Sequence, residues 1–292
     1  MKLAFVWIQV AAIATSSFTY FANHKSSLAQ TTTLLNDFAP IEIHVPPPET
    51  NKTGFCSKYV RGVVDRIVER PSLQGSKWAI LIQTIGGETL YSRHPDSYMI
   101  PASNLKLLVT AAALQKLNVE GKIRSRSIRD WIITTNLRSD NSYANILLRY
   151  LGGSSSVQEA LSSIGIDPKG YRMRDGSGLS RNNLATPRTL VTTLRAMHTA
   201  KGKDVFLASL PIAGESGTLK NRLRYTSAQG TVKAKTGTLR GVRALSGYVD
   251  TAYGTLAFSA IANQPINRSD ANLVKALDEI ALRLSTISSC SQ

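Results

Sequence analysis

Strand-like segments lie near both ends of the chain and helix-like segments fill the middle, and this division limits the fold more than any other feature of the sequence. WAILIQ (78–83) and ETLYSR (88–93) are short apolar runs separated by Thr84-Ile85-Gly86-Gly87, whose paired glycines suit a tight hairpin turn. The same pattern returns late, in TVKAK (231–235), VRALSGYVD (242–250) and GTLAFSAIAN (254–263). Between them, Leu105–Leu117, Ile128–Thr134, Tyr143–Leu151, Val157–Ile164 and Arg188–Ala200 repeat apolar residues at intervals of three and four without an internal proline, which predicts helices. A first amphipathic helix is expected over Phe55–Arg70, stopping at Pro71, and a last one over Arg268–Leu284. Helix, strands, helices, strands, helix is an α/β order, and it implies one central antiparallel sheet completed by both ends of the chain and flanked by helices.

The first 29 residues read as a signal peptide: Lys2, then an apolar stretch uncharged until His24, then small residues at Ser27 and Ala29 in positions fit for cleavage. An uncleaved membrane anchor is the alternative, since Leu3–Ala22 is long enough to span a bilayer. Either way the expected location is the periplasm or cell envelope. Residues 30–54, rich in Thr, Pro and Asn without an apolar period, read as a flexible tether. Residues 55–292 are then a single catalytic domain, with a sheet part over 55–100 and 231–292 and a mostly helical part over 101–230.

Removing residues 1–29 takes away Lys2 and Lys25 and no acid, so the formal charge falls only from +16 to +14. For an exported chain such a charge suits association with an anionic membrane or wall surface. Nucleic acid is not expected, because no basic-aromatic interleaving or helix-turn-helix spacing is present. The two cysteines, Cys56 and Cys290, stand near opposite ends and are expected to staple them in an oxidising compartment.

Ser103 and Lys106 stand three apart where the apolar run LKLLVTAAAL begins. Residues so spaced share a helix face, so a hydroxyl and an amine there can hydrogen bond. A lysine whose pKa is lowered by burial and neighbouring cations can take the serine proton and turn the hydroxyl into a nucleophile. Ser-x-x-Lys is common by chance, but the serine acyl-transfer set also needs Ser-x-Asn and Lys-Thr-Gly downstream in that order. Ser139-Asp140-Asn141 and Lys235-Thr236-Gly237 supply them. Two other matches are set aside: Lys52-Thr53-Gly54 precedes Ser103 in the tether, and Ser180-Arg181-Asn182 is the weaker rival to Ser139. No Gly-x-Ser-x-Gly elbow occurs, and the four histidines have no metal-ligand spacing, so a Ser-His-Asp triad and a metal centre are not expected.

With these motifs, and with RDGSGLSRNNLATP, ESGTLKNRL and VKAKTGTLRGVRALSGYV, the chain resembles the D-alanyl-D-alanine carboxypeptidases/endopeptidases of the class C low-molecular-mass penicillin-binding protein family. The resemblance implies a penicilloyl-serine transferase fold, with the active site between the sheet and a helical subdomain. It implies Ser103 as acylated nucleophile, Lys106 as its base, Ser139 and Asn141 relaying protons and holding the substrate amide, and Lys235 supplying positive potential. Thr236, Gly237 and Thr238 would bind the substrate, the threonines taking its terminal carboxylate, and the backbone N–H groups of Ser103 and Thr238 would form the oxyanion hole. The implied substrate is a peptidoglycan peptide, from which the terminal D-alanine is removed or in which a D-alanine cross-link is cut. β-Lactams are implied as covalent inhibitors, and no cofactor is implied. Better-known members carry large insertions between the first two motifs, whereas here Ser103 and Ser139 are only 36 apart.

A β-lactamase is the first alternative, but between Ser139 and Lys235 neither glutamate, Glu159 or Glu215, starts the Glu-x-x-x-Asn pattern of the class A enzymes, so slow release of penicillin is expected. A non-catalytic wall-binding module is the second, against which the intact Ser103, Lys106 and Lys235 speak. Arg240 and Arg243 are expected on a solvated strand edge, with contact to a substrate carboxylate as the other option.

Overall fold

The computed structural model describes residues 55–290, so the signal-peptide and tether expectations lie outside the described residues. Five strands form one antiparallel sheet: β1 (Lys77–Thr84), β2 (Thr89–Arg93), β3 (Val232–Leu239), β4 (Val242–Thr251) and β5 (Gly254–Asn263), in the spatial order β2-β1-β5-β4-β3. The early hairpin therefore pairs directly with the last strand, Ala260 standing opposite Ile80, as the placement of the strand-like runs predicts.

Alternate residues of these strands feed two apolar cores, because successive side chains point to opposite faces. Ala79, Leu81, Ala244, Tyr248, Ala257 and Ile261 join the core on one face. Trp78, Ile80, Ile82, Leu245, Phe258 and Ala260 join the core on the other. With both faces covered, the inner strands read as near-continuous apolar runs.

The second core is closed by α1 (Val60–Val68) and, from the far end of the chain, by a helix over Ala271–Leu284. The first core is closed by α2 (Lys106–Lys116), α3 (Ile128–Leu137), α4 (Asn141–Leu151), α5 (Ser154–Ser162), α6 (Pro187–Met197) and α7 (Lys203–Ser209). Counted in chain order, the helix over Ala271–Leu284 is α8. No described helix is long and apolar enough to cross a membrane.

Beside shifts of two or three residues at other helix ends, three departures from expectation have local reasons. Phe55 and Cys56 are not helical but pair in parallel with Ile287 and Ser288, and Cys56 is bonded to Cys290 with the Cα atoms 4.6 Å apart. That tie holds the segment extended and delays α1 to Val60. Helix α8 starts at Ala271 rather than Arg268, because the Asp270 carboxylate accepts from Gln264 Nε2 at 2.8 Å and ion-pairs with Arg243 at 3.1 Å, fixing the preceding loop. Helix α7 is not predicted by the sequence pattern; it follows Gly202, whose left-handed φ of 81° reverses the chain after α6.

Candidate active site

Ser103 sits in a tight turn, not in the α-helix proper. Ala102–Leu105 is a 3₁₀ segment that passes into α2 at Lys106. In such a segment residues three apart eclipse one another, which brings the Ser103 hydroxyl over the Lys106 side chain. The turn is entered through Ala102 at a φ of 47°, a conformation costly for a residue with a Cβ and found where surrounding structure enforces it. Here the enforcement comes from Asn263 at the end of β5, which accepts from Ile100 N (2.9 Å) and donates to Ile100 O (3.2 Å).

Lys106 is fully buried, and its Nζ has three partners: Ser103 Oγ at 2.9 Å, Asn141 Oδ1 at 2.8 Å and the Ser177 carbonyl at 2.5 Å. A neutral primary amine has two N–H donors and one lone pair. The amide oxygen and the carbonyl can only accept, so they take the two donors, and the lone pair is left for the Ser103 proton. Burial pushes the Lys106 pKa down to about 8, against the pull of Asp175 and Asp140, which favour the ammonium. The free base is therefore accessible near neutral pH.

Asn141 is placed by its own helix start. Asp140 caps α4 by accepting from Tyr143 N at 2.9 Å, which sets Asn141 as the first helical residue. Ser139, with a φ of 57°, turns the chain into that cap. It lines the same cleft, of about 450 Å³, as Ser103, Asn141, Thr236 and Thr238. Among the described residues its hydroxyl hydrogen bonds to neither Ser103 nor Lys106.

Lys235, Thr236, Gly237 and Thr238 lie on edge strand β3, which packs on the turn that carries Ser103. Gly237 is required there, since a Cβ would come within 2.7 Å of Pro101 O and 2.9 Å of Ala244 Cβ. Lys235 is fully buried, and its Nζ donates to Thr236 O at 3.1 Å. Burial, and then the charge of Lys106, hold its pKa well below the ordinary lysine value. Two buried lysines that cannot both be ammonium ions cheaply thus influence one another, and of the two only Lys106 bonds to Ser103.

Sequence reasoning missed three contributors. Thr218 lines the cleft and shares a 2.7 Å hydrogen bond with Thr236 Oγ1, making a pair of hydroxyls beside Thr238. The Ser177 carbonyl has no residue-type signal at all. Asp175, behind it, is visible only as part of a polar, glycine-rich loop. Ser180 and Asn182, the rival Ser-x-Asn, bond within that loop instead of to Lys106: Ser180 N donates to Asp175 and Asn182 N to Ser180 Oγ. Arg243 departs from the expected solvated edge. It is largely buried and spends its donors on Leu239 O, Val242 O and Asp270, while Arg240 is exposed and donates to Ile266 O.

A sheet of this order, with a Ser–Lys pair at the start of a buried helix and a lysine-bearing edge strand beside it, defines the fold class of the penicillin-binding proteins and serine β-lactamases. Solved structures agree: penicillin binding protein 4 (dacB) from Haemophilus influenzae superposes with a TM-score of 0.64 at 15% identity, over 76% of this chain and 98% of that one. The same protein has been solved complexed with a β-lactam. A class A β-lactamase from Bacteroides cellulosilyticus gives a TM-score of 0.63 at 18% identity, over 79% and 98%.

The chain belongs to the D-Ala-D-Ala carboxypeptidase 3 (S13) family, whose sequence signature matches residues 60–124 and 121–284. Its relatives include a D-alanyl-D-alanine carboxypeptidase of Actinomadura sp. (strain R39), 44% identical over 162 residues, or 50% of this chain and 30% of that protein. A penicillin-sensitive carboxypeptidase A of Dictyostelium discoideum is 33% identical over 187 residues, or 56% and 35%. The chain thus spans about a third of the length of the curated relatives it matches.

Proposed function

We propose that this chain is an exported serine-type D-Ala-D-Ala carboxypeptidase or endopeptidase that works through an acyl-enzyme on Ser103 and is inhibited covalently by β-lactams. The observation that carries this reading is the three-point hold on Lys106 Nζ: the three oxygens accept from the ammonium, and once it loses a proton the two acceptor-only partners keep its N–H groups and leave the lone pair for the Ser103 hydroxyl. Family membership supports a peptide ending in D-alanine as the substrate, with a peptide cross-linked through D-alanine as the alternative.

In the forward step Lys106 accepts the Ser103 proton while Oγ attacks the carbonyl of the D-Ala-D-Ala bond. Backbone N–H groups of Ser103 and Thr238 receive the developing oxyanion, each donor contributing about 3 kcal/mol in the transition state. Thr236 and Thr238, steadied by Thr218, take the terminal carboxylate, and the arriving anion favours the ammonium form of Lys235, which burial otherwise disfavours. Lys106 and Ser139 return the proton to the departing D-alanine nitrogen, and water then hydrolyses the ester.

Release of penicillin should be slow. No Asp or Glu is among the described residues lining the cleft, and Glu159 is ion-paired with Lys116 on the surface at 2.6 Å. A fluorescent penicillin should therefore label the protein stably, with a penicilloyl mass on the Ser103 peptide and none in Ser103→Ala. A D-Ala-D-Ala peptide should yield free D-alanine. Equal labelling of Ser103→Ala would end this reading, and label lost within seconds would replace it with a β-lactamase.

A further inference from the structure

The loop from Asp175 to Asn183 hydrogen bonds to Lys106 through the Ser177 carbonyl and lines the cleft with Leu179, yet it is folded around one carboxylate. Asp175 Oδ1 accepts from Ser177 N (2.8 Å), Ser177 Oγ (2.8 Å) and Gly178 N (2.7 Å). Its Oδ2 accepts from Ser180 N (2.8 Å) and Asn183 Nδ2 (3.0 Å). Asn183, itself fully buried, closes the loop from the other side by accepting from Arg174 N at 2.7 Å. Burial alone would raise the Asp175 pKa, but the hydrogen bonds from Ser177, Ser180, Asn183 and Gly178 outweigh it and hold the group ionised. No ion pair to Asp175 exists among the described residues, so its charge is held by the loop itself.

The folded loop is pressed onto both motif-bearing segments. Gly176 N donates to Asn145 Oδ1 on α4 at 2.8 Å, and a Cβ at Gly176 would lie 2.5 Å from Ala144 O. Gly178, with a φ of 86°, lies so close to the Ala102 carbonyl that any Cβ would collide with it. The loop therefore bridges the residue before the nucleophile and the helix that carries Asn141.

We propose that Asp175 is a positioning residue for the Ser103–Lys106 pair: its carboxylate shapes the 175–183 loop so that the Ser177 carbonyl takes one N–H of Lys106 and leaves the amine lone pair on Ser103. This rests on the acyl-transfer reading above. A carboxylate is needed because both oxygens face donors; an amide at this position would set its own N–H₂ against Ser180 N and Asn183 Nδ2. The negative charge has a second, opposite effect, since with Asp140 it faces Lys106 and holds the ammonium form, while Lys235 faces it as a like charge. Asp175 thus orients the base and at the same time sets the pH at which it becomes free.

The test is the second-order rate of acylation by fluorescent penicillin across pH, on the full chain, with thermal melts as the folding control. In the wild type the rate should rise with pH through the Lys106 pKa of about 8. Asp175→Asn should lower the high-pH plateau by about 10–100-fold, the scale of a misplaced reacting group, and move the midpoint to lower pH. Asn183→Ala loosens the loop but keeps the charge, so it should lower the plateau by about tenfold and leave the midpoint in place. Should Asp175→Asn not fold, Asn183→Ala decides alone. Plateaus within about threefold of wild type in both variants would overturn the proposal, as would a lowered plateau with an unmoved midpoint in Asp175→Asn. A wild-type protein that takes no label would instead overturn the acyl-transfer reading on which the proposal stands.

Discussion

The two faces of the sheet bear different burdens. The helical face carries the cleft, and with it two fully buried lysines, the left-handed Ala102 and Ser139, and four of the five buried polar side-chain atoms that lack a partner among the described residues: Asn104 Oδ1, Thr135 Oγ1, Asn136 Oδ1 and Tyr171 Oη. The face under α1 and α8 carries only one such atom, Trp78 Nε1. Its interior is otherwise aliphatic and aromatic packing, and its rim holds ordinary ion pairs such as Arg70–Glu279 at 2.6 Å. Unpaired polarity is thus concentrated on the helical side, while the opposite face, tied by the Cys56–Cys290 bridge, is mainly packing and meets the cleft at its margin, where Val274 of α8 lines it and Asp278 holds Arg222 at 2.6 Å.

If that division is right, the two faces should fail in different ways. Replacing Lys106 by Met exchanges a buried amine for an apolar chain of similar volume. Penicillin acylation should fall by at least about 10³-fold, while the melting temperature stays level or rises, since burying an amine is costly. A variant that acylated normally but melted early would reverse the assignment of the two faces. Leu277→Ala on α8 should do the opposite. Leu277 is 2% exposed in the far core, so its truncation should cost about 3 kcal/mol in a denaturant titration while the labelling rate of the folded protein is unchanged. A slowed labelling rate at full occupancy of the folded state would show that far-core packing is transmitted to the cleft through α8, whose Val274 lines it.

Legibility in the sequence follows the same line. The sheet and its helical layers can be read because strand and helix periods are written in side chains, and the far face is little more than those periods. That Ser103, Lys106, Asn141, Thr236 and Thr238 come together can be read because the proposed chemistry demands particular residue types at particular spacings. What could not be read acts through backbone or through distant carboxylates. The Ser177 carbonyl carries no residue-type signal, and Asp175 shows its purpose only once its loop is folded. Arg243 looked like a free cation on a strand edge because Asp270, which engages it, lies 27 positions along the chain and across a turn. Phe55 and Cys56 looked helical because their partner strand, Ile287–Ser288, is at the other end of the described chain.

The smallest expected effect separates the faces most cleanly. Lys106 has a folded-state pKa of about 8, below the 10.5 of an ordinary lysine, so between those values the unfolded chain binds more protons than the folded one. The destabilisation from burying the ammonium is complete below the lower value and is relieved as pH rises towards the upper. Stability should therefore increase by about 1 kcal/mol between about pH 7 and 9 from Lys106 alone, and Lys235, shifted in the same direction, adds to it. Denaturant titrations of Lys106→Met should show a shallower rise than the wild type, with the remainder belonging to Lys235. Leu277→Ala should lower the whole curve in parallel, because nothing it removes titrates. A wild-type curve falling over this range, or a Lys106→Met curve parallel to it, would mean that the amine is not held in the dry, three-point site that makes it a base.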